Sequence, residues 1–281
     1  MNAIAAPLAG RRVLVTGIAD ASSLALPIAR AVRACGAEVV CTGVGPTPRH
    51  GELSVAARRY LGEAQGLFEG TVHEHLGADV PALVVDAALD GSIDDLPATL
   101  RERGLELDGI VHAIAMDRTI RSGAAKPLLD VTRDEFMDCM NVSTYSLLAL
   151  VRALLQRGVL RHGASVVALS YLGAEPVMSH PYRNIGVAKA ALERMVRELA
   201  AELGPTHAIR VNAVRFSPWN KSRAGGAIPG LDQAVAVAER RAPLGNADPV
   251  SLAHEVVHLM RPELLVTGEI RHVDGGHHVN G

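Results

Sequence analysis

Short runs of branched apolar residues alternate along this chain with segments whose apolar residues recur at helical spacing. That alternation constrains the fold more than any other feature. The runs are Arg12–Thr16, Glu38–Thr42, Ala82–Asp86, Gly109–Ala113, Ala164–Ser170, Ile209–Val214 and Gly268–Val273. Each is almost wholly apolar rather than alternating, as a strand needs when both faces of its sheet are covered. Between them, Ser23–Cys35, Ser92–Arg103, Asp134–Gly158 and Tyr182–Leu203 read as helices, and Asp248–Pro249 caps another. Strand–helix alternation with right-handed crossovers gives an α/β, doubly wound unit with a seven-stranded parallel sheet and helices on both faces. Residues 43–80, which carry Pro46, Pro48 and several glycines, read as an irregular insertion after the second strand with a short helix near Ser54–Leu61. With 281 residues, a single domain over 1–281 is expected.

Composition removes several function classes. There are 28 basic and 30 acidic residues, so no basic nucleic-acid surface or attraction to anionic lipid is expected. Only 3% of residues are aromatic, which argues against a base-stacking or sugar-gripping face. Cys35, Cys41 and Cys139 are too few and too unevenly spaced for a disulfide scaffold, so a reducing, cytoplasmic setting is expected. The N-terminal stretch places its arginines after its apolar residues, the reverse of a secretory signal, and no run is long enough to span a bilayer.

In a doubly wound sheet, ligands bind at the carboxyl ends of the strands. The first strand runs into Gly17-Ile18-Ala19-Asp20-Ala21-Ser22-Ser23-Leu24, a strand–turn–helix start whose backbone N–H groups can hold a pyrophosphate. The spaced glycines of a dinucleotide fingerprint are reduced to Gly17, so an ordinary βα turn is an equal reading. Asp86, just past the third strand, can accept from an adenine amino group or cap a helix. The strongest signal is Ser170-Tyr171-Leu172-Gly173 followed by Tyr182 and Lys189, seven residues apart on one helix face. An ammonium beside a phenol lowers its pKa, and that would make Tyr182 a proton donor near neutral pH.

TGIADASSLA, VHAIAM, NVSTYSLL, SYLGAE, YRNIGVAKAALE, IRVNAV and TGEIRHVDGG follow one another in order across nearly the whole chain. Together they resemble the enoyl-acyl carrier protein reductase branch of the short-chain dehydrogenase/reductase superfamily. The Tyr-x6-Lys spacing separates this branch from relatives that use Tyr-x3-Lys. The resemblance implies a Rossmann-type fold and an NAD(P)H-dependent oxidoreductase that reduces the C2=C3 bond of an enoyl thioester on acyl carrier protein or coenzyme A, in fatty acid or specialised-metabolite synthesis. It implies that Gly17, Ile18, Ser23 and Leu24 lie along the dinucleotide, that Asp86 and Ala87 flank the adenine, and that Ala113, Ile114 and Ala115 pass the ribose and nicotinamide. Lys189 would hold the ribose, Tyr182 would bond the thioester carbonyl, Tyr171 would line the acyl pocket, and Asn141 would organise a water chain. Trp219 and Lys221 stand where the family has a nicotinamide-facing isoleucine and a phosphate-contacting threonine, and Met116 and Asp117 stand at the substrate mouth. NADH is the implied cofactor. NADPH stays open because no acidic residue ends the second strand, and Arg49 or Lys221 could meet a 2′-phosphate.

Other readings come from the same residues. A ketoreductase would use the same tyrosine and lysine, and a nucleotide-sensing pseudoenzyme would use the same fold. His254-Glu255-Val256-Val257-His258 spells the zinc-hydrolase motif, yet both histidines fall opposite the apolar face of their helix, and no metal is expected. The Tyr182–Leu203 helix carries Ala188, Ala191, Leu192, Met195, Val196 and Leu199, more apolar positions than one sheet-facing stripe uses, which with the resemblance points to a homotetramer. Ser217–Leu231, rich in Gly and Pro, reads as a flap over bound ligand.

Overall fold

The computed structural model describes residues 6–121 and 123–280; residues 1–5, at the head of the N-terminal stretch considered above, lie outside the described residues. The chain lays down β1 (Arg12–Thr16), α1 (Ala25–Ala34), β2 (Glu38–Gly43), α2 (Val55–Leu76), β3 (Ala82–Val84), α3 (Asp90–Glu102) and β4 (Leu107–His112). A small antiparallel hairpin, β5 (Ile120–Arg121) and β6 (Ala124–Ala125), precedes α4 (Arg133–Met140) and α5 (Ser146–Gln156). Then come β7 (Leu160–Tyr171), α6 (Arg183–His207), β8 (Arg210–Phe216), α7 (Arg223–Gly226), α8 (Leu231–Arg241), α9 (Pro249–Met260) and β9 (Ile270–Val273). The large sheet has seven parallel strands in the order β3-β2-β1-β4-β7-β8-β9. Strand order reverses between β1 and β4, so their carboxyl ends open a crevice there.

The strands are apolar on both faces because each face has its own helical layer. Val13 and Val15 of β1 join the cluster packed by α1, α2 and α9, while Leu14 between them joins the cluster packed by α3, α5 and α6. β7 repeats the division: Val167 and Leu169 face the first layer, Val166 and Ala168 the second. Burial of these layers is the main favourable term holding the sheet.

Two segments differ from the sequence reading. Residues 43–80, expected to be an irregular insertion with a short helix near Ser54–Leu61, contain the crossover helix from β2 to β3, the 22-residue α2. Ser54 caps it by accepting from the Ala57 N–H, and Leu61, Phe68, Val72 and Leu76 are buried along one face. Gly62, Gly66 and Gly70 lie on its exposed side, and interior glycines weaken a helix, so packing rather than propensity holds it. The helix expected over Asp134–Gly158 is interrupted by a π turn over Asn141–Tyr145 between α4 and α5. Such wide turns are common at functional sites. Thr132 and Glu135 form a capping box at the start of α4, and Asp248 caps α9 as expected.

Candidate active site

At the switch point, Gly17 has φ +83°, and a Cβ there would lie 2.2 Å from the Ala113 carbonyl oxygen. The loop after β1 therefore lies directly on the loop after β4, an approach only glycine permits. Thr16 ties the same loops: its hydroxyl donates to the Val111 carbonyl (3.1 Å) and accepts from the Ala113 N–H (3.1 Å). The Ser23 hydroxyl accepts from the N–H groups of Ala19 (3.0 Å) and Asp20 (3.1 Å) and shapes the turn into α1. No side chain caps the N-terminus of α1. Its leading N–H groups thus suit a phosphate anion. Beside them, Ala21, Ser22, Ser23, Leu24, Trp219 and Lys221 line a cleft of about 240 Å³. Lys221 Nζ sits 5.2 Å from the centre of the Trp219 ring, supplying positive charge at that cleft. The buried side chain of Ile18 packs into the core, which leaves its backbone for a ligand.

At the adenine end, Asp86 Oδ1 accepts from the Ala88 N–H (2.8 Å), and Oδ2 meets His50 Nε2 (2.9 Å). Asn141, on the π turn, donates from Nδ2 to the Ala88 carbonyl (3.1 Å), linking that turn to the segment carrying Asp86 and Ala87. Arg49 is held in a two-point pair with Asp95 at 2.8 and 2.6 Å. Of the two basic residues considered for a 2′-phosphate, Arg49 is thus paired with Asp95, and Lys221 lies at the cleft beside Trp219.

The reacting end lies at the carboxyl terminus of β7. Tyr171 and Tyr182 pack edge to face with ring centres 4.8 Å apart. Lys189 is 5% exposed, and its Nζ donates to the Leu169 carbonyl at 2.7 Å. Burial lowers its pKa to about 8, with Cys139 and Glu193 nearby opposing the shift. The expected lowering of the Tyr182 pKa does not occur. Burial pushes the phenol up, and Tyr171, Cys139 and Glu193 push in the same direction. Burial and these neighbours all favour the uncharged form, so the neutral donor wins. The Tyr171 phenol is likewise raised by burial.

A fully paired ion cluster braces this end. Glu193, one turn beyond Lys189 on α6, accepts from Ser170 Oγ (2.6 Å) and from Arg215 Nε (2.8 Å) and Nη2 (2.6 Å). The cluster thereby cross-links β7, α6 and β8 at Ser170, next to Tyr171 in the chain. Arg183, next after Tyr182, has φ +30°, a strained value for a residue with a Cβ. Its guanidinium donates to the Ala125 carbonyl (2.9 Å) and the Lys126 carbonyl, clamping the small hairpin.

The substrate-mouth residues are partly drawn together. Ser143 Oγ accepts from the Met116 N–H (3.0 Å) and donates to the Met116 carbonyl (3.1 Å). Asp117 Oδ1 accepts from Thr119, and its other oxygen is buried without a partner. Sequence reasoning missed His180, which is 3% exposed and packs against both tyrosines, 5.6 Å from the Tyr171 ring and 5.8 Å from the Tyr182 ring. Its only sequence signal is a polar residue just before Pro181-Tyr182.

The zinc-hydrolase pattern on α9 takes no part in this site. His254 is exposed, Glu255 pairs with Arg271 (3.0 Å), and Leu252, Val256 and Leu259 face the core. Among the described residues, His272, Asp274 and His278 are the one grouping with the donor types of a metal site. There the two imidazoles stack at 3.9 Å, and the Asp274 carboxylate accepts from the N–H groups of Gly276 (3.0 Å) and His278 (3.1 Å).

Residues 56–278 match the family described as Enoyl-(Acyl carrier protein) reductase. The chain is 32% identical over 278 residues to the enoyl-acyl-carrier-protein reductase (NADH) FabI of Synechocystis sp., covering 98% of both chains. It is 33% identical over 278 residues to the FabI of Bacillus subtilis, covering 97% of both. Among solved structures, the FabI–NADH complex from Alistipes finegoldii superposes with a TM-score of 0.83 at 25% identity, covering 98% of this chain and 90% of that one.

Proposed function

The chain belongs to the enoyl-(acyl carrier protein) reductase family, and from that membership we infer its reaction. It is an NADH-dependent oxidoreductase that reduces the C2=C3 double bond of an enoyl thioester carried on acyl carrier protein, a step of fatty acid biosynthesis. The observation that carries the assignment of roles is the packing of Tyr182 against the buried Tyr171, with the buried Lys189 anchored at the end of the same strand, β7.

Bound NADH supplies the hydride that adds to the β-carbon. The residues of this chain provide position and charge. As the β-carbon gains its bond, negative charge develops on the thioester oxygen, and a fixed donor there stabilises the transition state more than the ground state. Tyr182 is that donor. Its raised pKa keeps the hydroxyl protonated, so it stabilises the oxyanion as a neutral hydrogen-bond donor rather than titrating near neutrality. Lys189 is anchored by Leu169 and directs its remaining N–H groups to the cofactor ribose. Tyr171, packed edge to face against Tyr182, forms the wall of the acyl pocket. Gly17, Ser23, Leu24, Trp219 and Lys221 hold the pyrophosphate side, and Asp86, Ala87 and Asn141 the adenine side.

On α6, Val187, Ala191 and Met195 recur every four residues and stay partly exposed, whereas Ala188, Leu192, Val196 and Leu199 are buried within the subunit. That narrower stripe, rather than the whole apolar content of the helix, is the surface offered to a symmetric partner in a homotetramer. No helix among the described residues is long and apolar enough to cross a membrane, in keeping with a cytoplasmic enzyme.

The test is NADH oxidation with short trans-2-enoyl thioesters beside matched 3-ketoacyl thioesters. Turnover of the enoyl series supports the reading. Turnover of the ketones alone replaces it with ketoreduction.

A further inference from the structure

The wall between Tyr171 and Tyr182 contains a group that a purely alkyl substrate does not explain. His180 lies against both tyrosine rings, and its Nδ1 and Nε2 are both enclosed with no hydrogen-bond partner. The Tyr171 hydroxyl, on the neighbouring ring, is enclosed and unpartnered as well. Gly230, at the end of the 217–231 segment, lies beside His180, since a Cβ built there would be 3.8 Å from His180 Cβ. Burial lowers the His180 pKa to about 4, so the ring is neutral at physiological pH, with one nitrogen donating and the other accepting. Enclosing such a ring unpaired is unfavourable, because its polar atoms lose their bonds to water and gain none. A methylene chain laid against it leaves that cost in place, whereas an oxygen on the chain removes it.

We propose that His180, with the Tyr171 hydroxyl, is a specificity site for an acyl chain bearing a hydroxyl or keto oxygen near the reacting double bond. The inference rests on the enoyl-reductase reading above. Tyr182 addresses the thioester oxygen at the head of the chain, and His180 stands beside it on the side of Tyr171 and the flap. The oxygen it recognises therefore belongs within the first few carbons beyond the double bond. A chain hydroxyl can donate to one imidazole nitrogen and accept from the Tyr171 hydroxyl. A keto oxygen can accept from both. Sites built to bond a substrate oxygen discriminate strongly against analogues lacking it, because their own polar groups are then left unpaired.

The experiment compares kcat/KM for trans-2-hexenoyl and 5-hydroxy-trans-2-hexenoyl thioesters, with the 5-oxo analogue as a third arm. Wild-type protein is expected to favour an oxygenated chain by about tenfold or more. His180→Leu is expected to reverse that ratio by losing the oxygenated substrate and gaining the alkyl one. His180→Gln, which keeps a donor and an acceptor, is expected to restore part of the preference. Equal or better turnover of the alkyl chain by wild-type protein overturns the proposal, and so does a preference that His180→Leu leaves intact. The wild-type ratio decides alone if the leucine variant does not fold. If no enoyl thioester is reduced while NADH still binds, the reaction assignment fails, and this proposal with it. Reduction of all three chains at similar rates removes only the role of His180.

Discussion

Lys189 Nζ lies 2.7 Å from the Leu169 carbonyl oxygen, and this bond fixes the ammonium to the end of β7. Two N–H groups remain for a ligand, and the phenol of Tyr182 is left to act as a neutral donor. Under the proposed reaction, lysine and tyrosine thus have separate tasks: one positions the cofactor, the other stabilises charge on the substrate.

The separation predicts a pH dependence. The folded-state pKa of Lys189 is lowered by burial to about 8 from 10.5. Between those values the unfolded chain holds the proton that the folded one has lost, so stability from this group rises with pH through that window. Below it, the buried charge carries its full penalty. NADH binding moves the opposite way, because the ribose loses a charged donor above about pH 8. Titration of NADH affinity by fluorescence from pH 6 to 10 should show a decline centred near pH 8, absent in Lys189→Met.

Tyr182→Phe should lower kcat by roughly 10²–10³, the usual effect of losing one oxyanion donor. NADH affinity should change little, and wild-type kcat should show no phenol ionisation below pH 9. Tyr171→Phe removes a hydroxyl that is buried without a partner. Its melting temperature should therefore hold or rise, and kcat on alkyl chains should fall by less than about tenfold. A Tyr171→Phe loss as large as that of Tyr182→Phe would interchange the two assignments.

The 217–231 segment should order with cofactor. Its short helix is tied to the β1 turn where the Arg223 N–H donates to the Ser22 hydroxyl (3.1 Å). Gly225 packs so closely that a Cβ would lie 1.9 Å from the Trp219 carbonyl oxygen. Gly225→Ala should prop the segment open, raise the KM for NADH and expose it to protease. NADH should protect the wild-type segment and fail to protect the variant. Equal cleavage of wild-type protein with and without NADH would argue against a closing flap.

The seven parallel strands of the large sheet and the Tyr182–Lys189 helix were legible because they rest on apolar runs and on spacing along a single element. Residues 43–80 misled because Gly62, Gly66 and Gly70, on the exposed side of α2, lower its helix propensity, while the buried Phe68 that anchors α2 is specified by its contacts with the sheet. The π turn at Asn141 leaves no mark on helical periodicity, since one added residue per turn shifts the apolar pattern only slightly. The lowered Tyr182 pKa was a false expectation of a different kind. Sharing a helix face brings Lys189 near, yet the ammonium follows the strongest acceptor within reach, a backbone carbonyl. His180 was invisible for the same reason: burial between two rings is a property of the folded loop rather than of spacing.

Assembly gives the last prediction. Val187, Ala191 and Met195 recur on one side of α6, with Val187 46% exposed in the isolated subunit. The opposite side of the helix is fixed in the core by Leu192, Val196 and Leu199. A charge placed on the exposed stripe would therefore leave the subunit intact while opposing its burial against a copy of itself. In a symmetric interface the same substitution appears on both sides, so the unpaired charges also face one another. Ala191→Glu should shift the mass measured by light scattering from a tetramer towards a smaller species at micromolar concentration, with an unchanged circular dichroism spectrum. Glu63, whose carboxylate pairs with Arg59 (3.0 Å) on the exposed surface of α2, provides the control: Glu63→Gln should leave the tetramer in place. A wild-type protein that scatters as a monomer would remove the homotetramer, and a tetrameric Ala191→Glu variant would move its interface to another face.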